Sequence, residues 1–481
     1  MGDRSDGPPR GLRFVRCMHV IPILGCVLAA CDSPVTPSGP AEVQSAAIRA
    51  VTAALVRSLD VSLDRPYGVE VDYWTEGGPR LRVTDATPQR THELILGQLR
   101  AGATYQFEVR STGALGSGDP VSGSFVTDAL PANLAALDFS AQGTPTEPLT
   151  LFEIARNENE NGFTGAVIVD DAGEVVWFFE SVAIQGATRR QNGNFVLLDV
   201  GTGVLEVAPT GELVAVLPQE TYPGRRAHHD VITTPDNTLL VLASDVREYE
   251  GRSVLGESIW EWDPDSDELT SLWSSWNQMS PDTDWGPDSR DGDWLHANAI
   301  SFGPEGNVVI SLRFTDQVIS IAPDFSEIQW RLGGIGGDVQ VSGSDVFIGQ
   351  HTAAELPAVG GRRRVLLFDN GPIGRGFSRA QELELDLEAG TATTVWEFRP
   401  TPDNFSFITS LARRLPNGNT FVTFGAGPDA LSSFGPVEVF EVDASGDVQF
   451  HIEVGGPTVN DLFILYRAWP LSDIAGEVSV P

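Results

Sequence analysis

From about residue 145 onward the sequence repeats one pattern at intervals of about 55 residues. Each unit opens on a turn rich in Pro, Asp, Asn and Gly, continues in an apolar strand, and closes on a strand carrying an aromatic or acidic residue. The turns are Asp170-Asp-Ala-Gly173, Gln191-Asn-Gly-Asn194, Pro235-Asp-Asn237, Pro304-Glu-Gly-Asn307 and Pro416-Asn-Gly-Asn419. The closing strands are Val175–Phe179, Leu213–Leu217, Leu269–Trp273, Ile328–Leu332, Thr394–Phe398 and Val448–Ile452. A small sheet that is apolar on both faces is stable only between two others like it, so such units stack around an axis. The pattern predicts an all-β chain whose main body, residues 145–481, is a six-bladed β-propeller, with five or seven blades as the neighbouring counts. Trp177, Trp273, Trp330 and Trp396 fall in closing strands and are expected between blades.

The N-terminal region reads differently. Arg10, Arg13 and Arg16 precede an apolar run, Val20–Leu28, that leads into Ala29-Ala30-Cys31. A basic start, a short apolar run and small residues before a cut mark a signal peptide, and the run is too short for a membrane span. A cysteine directly after Leu-Ala-Ala resembles the lipobox of bacterial lipoproteins. Residues 1–30 are therefore expected to be removed and Cys31 lipidated; the plainer alternative is an ordinary secretory signal cut nearby. The three cysteines are Cys17, Cys26 and Cys31. The expected mature body thus has no disulfide, thiolate nucleophile or cysteine-ligated metal. Residues 31–45 are Pro/Ser-rich and read as a tether. The expected location is the cell envelope, with the propeller exported and facing the periplasm or the cell exterior. Residues 46–128 alternate apolar and polar in short runs such as Val69–Tyr73 and Tyr105–Val109, which predicts a small β-sandwich preceding the propeller. Within it, Leu99-Arg-Ala-Gly-Ala-Thr-Tyr105 resembles the tyrosine-corner turn of fibronectin type III domains. Its one histidine, His92, is expected at the surface.

Charge and composition exclude whole chemistries. There are 66 acidic residues against 31 basic ones, a formal net charge of −35, which argues against nucleic acid as a partner. All 31 basic residues are arginine. A Schiff-base lysine, a pyridoxal-phosphate anchor and a phosphate-binding GK[ST] loop are therefore absent. Any catalytic cation must be arginine, histidine or a metal.

Four histidines sit in turn-and-strand contexts of the repeat, each where a unit begins: His228 and His229 in Ala227-His-His-Asp, His296 in Asp293-Trp-Leu-His-Ala-Asn298, and His351 in Gln350-His-Thr-Ala353. Equivalent positions in different blades point at one axis, so these side chains are expected to meet. Arg313, one strand after His296, would add a fixed positive charge. Several histidines with an arginine suit a tetrahedral oxyanion such as sulfate or phosphate. Asp230, Asp293 and Asn298 are candidates to orient imidazoles, a plain turn role being equally compatible. Asp369 and Asn370 are read as turn-formers, and His451 as structural.

The ordered motifs Asp293-Trp-Leu-His-Ala-Asn298, Ser311-Leu-Arg313, Trp330-Arg-Leu-Gly333, Gln350-His-Thr-Ala353 and Leu366-Leu-Phe-Asp-Asn-Gly371 resemble bacterial arylsulfate sulfotransferases. Ser378-Arg-Ala380 and Tyr466-Arg-Ala468 are similar to that family too. The resemblance implies transfer of a sulfuryl group from an aryl sulfate to a phenol, without the nucleotide donor PAPS, through a sulfohistidine intermediate. It implies His351 as nucleophile, His296 and Arg313 on the sulfuryl oxygens, and one of the His228/His229 pair, His229 by preference, completing the site. His228, Trp294 and Asn298 are then the candidates for substrate contact, Trp294 for the aryl ring. No cofactor and no metal is expected, and homodimerisation is left open. Where family members often show Ser-Ser-Arg-His, this chain has Ser311-Leu-Arg-Phe314. The alternatives are an aryl sulfatase, a metal-dependent hydrolase or lyase built on three of the histidines, and a non-catalytic surface-binding propeller.

Overall fold

Segments that are apolar at most positions end up in the middle of sheets, and half-polar ones at the edges. Phe195–Asp199, Gly203–Val207, Val308–Leu312 and Gln317–Ile321 are buried along their whole length. The closing strands Leu213–Pro218 and Thr391–Phe398 alternate between exposed and buried positions. Sheets covered on both faces by neighbouring sheets produce this division.

The computed structural model describes residues 39–157, 162–219, 226–289, 292–426, 436–456 and 463–475. The expected signal peptide and Cys31 lie outside the described residues. Among these residues no helix is long and apolar enough to cross a membrane.

Six antiparallel sheets follow one another along the main body. Each begins on a first strand, and the strands pair in sequence order outward from it. In the second to sixth sheets the first strands are Ile184–Arg189, Ala227–Thr233, Ala297–Phe302, His351–Val359 and Leu411–Arg414. The first sheet takes its corresponding strand from the end of the chain: Phe463–Leu471 pairs with Leu149–Asn157. The sixth sheet gains a fifth strand, Asp138–Gly143, which lies ahead of residue 145 and pairs with Val448–Gly455. Both ends of the main body are thus shared between early and late chain, which closes the run of sheets.

Polar groups stitch neighbouring first strands together. The Thr188 and Thr233 hydroxyls are 3.1 Å apart, Ile300 N–H donates to Asp230 (2.9 Å), Ser301 to the Ala353 carbonyl (2.8 Å), and Ala412 N–H to Thr352 (3.2 Å). Ser410 N–H donates to the Tyr466 carbonyl at 3.0 Å. The result is a propeller-like arrangement with the first strands innermost. Tryptophans fill the seams as expected: Trp177 packs on Phe195 across the first seam (4.9 Å between ring centroids), and Trp330 joins Val365 and Leu367 in one core.

The N-terminal region forms one six-stranded sheet, built on Arg57–Thr75 and Leu81–Leu96. Pairing between these long strands breaks register between Ser62 and Val69. Residues on both sides of the break, Leu59 and Val61 with Val71 and Tyr73, share one core. The Tyr105 hydroxyl accepts from the Arg100 N–H (3.0 Å), the bond a tyrosine corner makes. His92 is a correction: it is buried, 2.8 Å from Asp85 and 2.9 Å from the Tyr67 carbonyl. Placed opposite Val61, just before the break in register, it has partners on both ring nitrogens. This sheet packs on the main body through Arg100–Asp170 (2.6 Å) and the Ala53 N–H to Thr210 carbonyl bond (2.7 Å).

Candidate active site

Five of the six innermost strands share an irregularity near their starts, and Leu411–Arg414 alone pairs in unbroken register. Pairing breaks register between Leu465 and Ala468, Ile184 and Gly186, Ala227 and Val231, Ala297 and Ala299, and His351 and Ala353. Left-handed backbone accompanies it: His229 (φ 62°), His296 (φ 51°), Thr352 (φ 44°), and Thr409 (φ 65°) with Ser410 (φ 87°) just before the sixth sheet. A bulge re-aims side chains that regular pleating would send into a neighbouring sheet. Here it brings His229, His296, His351 and Arg467 to one level of the channel.

His351 is almost fully buried, and its Nδ1 lies 2.8 Å from Asn370 Oδ1. The amide of Asn370 has a fixed orientation, because its Nδ2 donates to the Ser406 and Thr409 carbonyls (2.6 and 3.2 Å). Oδ1 can therefore only accept, so the proton sits on His351 Nδ1 and the lone pair on Nε2. Burial, then Arg313, hold the His351 imidazole well below its ordinary range; the Asn370 bond pulls the other way, and Arg467 and His296 add smaller downward pushes. The ring is neutral at pH 7.

His296 has its Nδ1 2.7 Å from the Asp293 carboxylate and lies flat on Phe314, 4.3 Å between centroids. His229 meets its edge at 4.9 Å. Burial, followed by His228, His296, His351 and Arg467, holds His229 well below its ordinary range. His228 turns away: its Nδ1 is 2.7 Å from His229 Nδ1, and its Nε2 is 3.0 Å from the buried carboxylate of Glu257. Glu257 also accepts from the Ala297 N–H (2.8 Å), and burial pushes its carboxyl up.

Arg313 is bonded through its backbone to the His296 carbonyl (3.1 Å), and its guanidinium lies over Phe314 and Phe407. Gln350 locks its strand to that of His351, donating to Ser311, Leu312 and Gln317. Asn298 donates to the Gln350 carbonyl (2.8 Å), while its carbonyl accepts from Arg467 (2.7 Å) and the Tyr466 hydroxyl (3.1 Å). The Asn298 side-chain oxygen is buried with no hydrogen-bond partner among the described residues.

The expected residues therefore converge, except His228, which turns to Glu257, and Trp294. Trp294 is fully buried in the core against Trp276 (4.9 Å) and offers no face to an aryl ring. Trp294 and Leu295, the two residues before His296, both pack into one core, and the aromatic face beside His296 is Phe314. Asp293 orients an imidazole, whereas Asp230 holds Arg467 (2.8 Å). Asn370, read as a turn residue, fixes the His351 tautomer. Arg467 and Glu257 carried no role in the sequence. Their signal was a charge inside an apolar strand, as in Phe463-Ile-Leu-Tyr-Arg467, because a buried charge is retained only with partners. Among the described residues no group of three or more His, Asp and Glu side chains is placed to hold a metal ion.

A neutral imidazole lone pair beside a fixed guanidinium and two further imidazoles is suited to nucleophilic attack on a tetrahedral oxyanion ester. Comparison with known proteins agrees in kind. The family model described as Arylsulfotransferase (ASST) matches residues 141–462. No curated protein matches the sequence. Among solved structures, a protein of unknown function from Bacteroides caccae is 15% identical with a TM-score of 0.43, the match covering 67% of this chain and 98% of that one. Streptogramin B lyase is 11% identical with a TM-score of 0.34, over 85% of this chain and 100% of that one.

Proposed function

The chain belongs to the arylsulfotransferase family, an aryl-sulfate sulfotransferase by that membership, and from this premise we propose that it works by a ping-pong mechanism through a sulfohistidine at His351, without PAPS. The observation that carries the reading is the Asn370 bond, which leaves Nε2 of His351 as the nucleophilic atom. In the first step Nε2 attacks sulfur, the S–O(aryl) bond breaks, and the electron pair leaves on the phenolate oxygen. His229 or His296 exchanges the phenolic proton. The ring then carries SO3 on Nε2 and keeps its proton on Nδ1 against Asn370. In the second step an acceptor phenol attacks sulfur, the N–S bond breaks, and the phenolic proton passes to a neighbouring imidazole. Arg313 and His296 bind the sulfuryl oxygens, whose charge is spread while the in-line bonds are loose.

The wider reading is a six-bladed propeller preceded by a fibronectin type III-like sandwich over residues 46–128, on a lipid tether at Cys31 that holds it in the cell envelope. The six successive sheets and the Tyr105 bond support the first two parts. The substrates are an aryl sulfate and a phenol. The test is nitrophenolate release from 4-nitrophenyl sulfate with and without phenol, in wild type and His351→Asn. Phenol-dependent release that the variant abolishes supports the proposal. Release indifferent to phenol makes the protein a sulfatase instead.

A further inference from the structure

Below the histidines, the channel opens into a second cavity of about 530 Å³ lined by residues from all six innermost strands. None of the site histidines, nor Arg313, lines it. Asp230 and Arg467 do, so this buried ion pair forms the partition between cavity and candidate active site. The wall is mostly apolar, with Phe195, Ile232, Phe302, Leu411 and Trp469 among its residues. The volume suits a small organic molecule.

Four arginines border the cavity. Arg189 is matched by Asp473 (2.8 Å), Arg414 by Glu382 (2.5 Å) and Arg467 by Asp230. Arg413 is different: among the described residues it forms no ion pair, and its guanidinium rests on the Trp469 ring, 5.2 Å from the centroid. It is open to the cavity although protein surrounds it, and that burial lowers its affinity for its proton. In a chain of net charge −35 a carboxylate is the commonest available neighbour. An unmatched guanidinium over an aromatic ring in an apolar cavity is a site prepared for an anion from outside.

We propose that this cavity is a second binding site, separate from the transfer site, for an organic anion with an apolar or aromatic body. The body would lie among Ile232, Phe302 and Leu411, and the anionic group on Arg413. The proposal does not depend on the reaction assigned to the histidines.

The test titrates 1-naphthalenesulfonate, whose C–S bond offers no transferable sulfuryl group, by calorimetry into wild type, Arg413→Gln, Arg413→Lys and Arg313→Gln. Arg413 is exposed to the cavity, so its substitution leaves the core intact. The expected result is a binding event weakened about tenfold or more by Arg413→Gln, the loss of one charge-assisted contact. It should be largely kept in Arg413→Lys and unaffected by Arg313→Gln. Sulfuryl transfer in Arg413→Gln should equal wild type. Absence of saturable binding at millimolar sulfonate overturns the proposal. So does binding indifferent to Arg413→Gln, or binding lost in Arg313→Gln, which would place the ligand at the histidines.

Discussion

Replacing Asn370 with Ala tests whether the His351 tautomer is set by one hydrogen bond. The substitution removes the acceptor 2.8 Å from Nδ1 and leaves a buried ring N–H with nothing to donate to. The bond itself is worth about 1 kcal/mol net, and a stranded buried donor costs about 1–3 kcal/mol. If about 2–3 kcal/mol of this appears as lost population of the reactive tautomer, sulfuryl transfer to His351 slows about 30- to 150-fold. The Thr409 carbonyl loses its donor and the Ser406 carbonyl keeps only Ser378, so the variant also melts earlier, and urea titration fixes the folded fraction first. Asn370→Asp is the control. It restores an acceptor and with it the tautomer, while its negative charge raises the His351 pKa and moves the acid limb of the rate upward. The assay is the single-turnover burst of nitrophenolate from 4-nitrophenyl sulfate. A burst in Asn370→Ala within about threefold of wild type would refute the reasoning, since the expected loss is at least ten times larger. An Asn370→Asp burst no faster than that of Asn370→Ala would refute it equally.

Three other outcomes are expected. Because the folded-state pKa of His351 is depressed, its stability contribution is complete above about 6.5, the unfolded value, and is lost as pH falls below it. Wild type should therefore lose about 1.4 kcal/mol more than His351→Gln between pH 7.5 and 5.5, read from urea midpoints; equal losses would contradict a neutral buried ring. Trp294→Ala should destabilise by about 3–5 kcal/mol as a core truncation. Trp294→Phe should leave KM for the aryl sulfate unchanged while Phe314→Ala raises it, and a raised KM in Trp294→Phe alone would return Trp294 to the substrate. Cys31→Ser should move the full chain from the membrane fraction to the soluble one, and retention on membranes would sink the lipid anchor.

The strands that close each unit were legible because position within a sheet leaves a mark on composition. All six expected closing strands, from Val175–Phe179 to Val448–Ile452, fall in the fourth strand of their sheets, where one face is exposed and turn residues cluster nearby. The sixth sheet's extra strand was less visible, since Asp138–Gly143 pairs with a partner roughly three hundred residues away and carries no turn signal of its own. The histidines were legible as a group because each opens a unit. Their partners were not. Asn370 follows Asp369 at a strand end, where Asn and Asp are ordinary turn residues. Its role depends on carbonyls at Ser406 and Thr409, in the segment that leads into the next sheet. Trp294 failed for a related reason: two positions before His296 predicts the same face in a regular strand, and the left-handed backbone at His296 breaks that rule.

That left-handed backbone explains how a chain of rigid sheets can assemble this chemistry. His229, His296 and Thr352 each occupy a conformation that costs a non-glycine residue about 1–2 kcal/mol, and for a β-branched threonine the strain is at the upper end. Glycine at these positions would remove the strain and the side chain together. The bulges persist because each is held by bonds from other sheets: Thr352 by the Ala412 N–H, the Asp230 next to His229 by Ile300 and Arg467, and the Ala297 after His296 by Glu257. Each imidazole is thus positioned by a neighbouring sheet as much as by its own. Geometry tight enough to favour one tautomer at His351 follows from the ring of sheets as a whole, which is why residues more than a hundred positions apart in sequence can meet in one site.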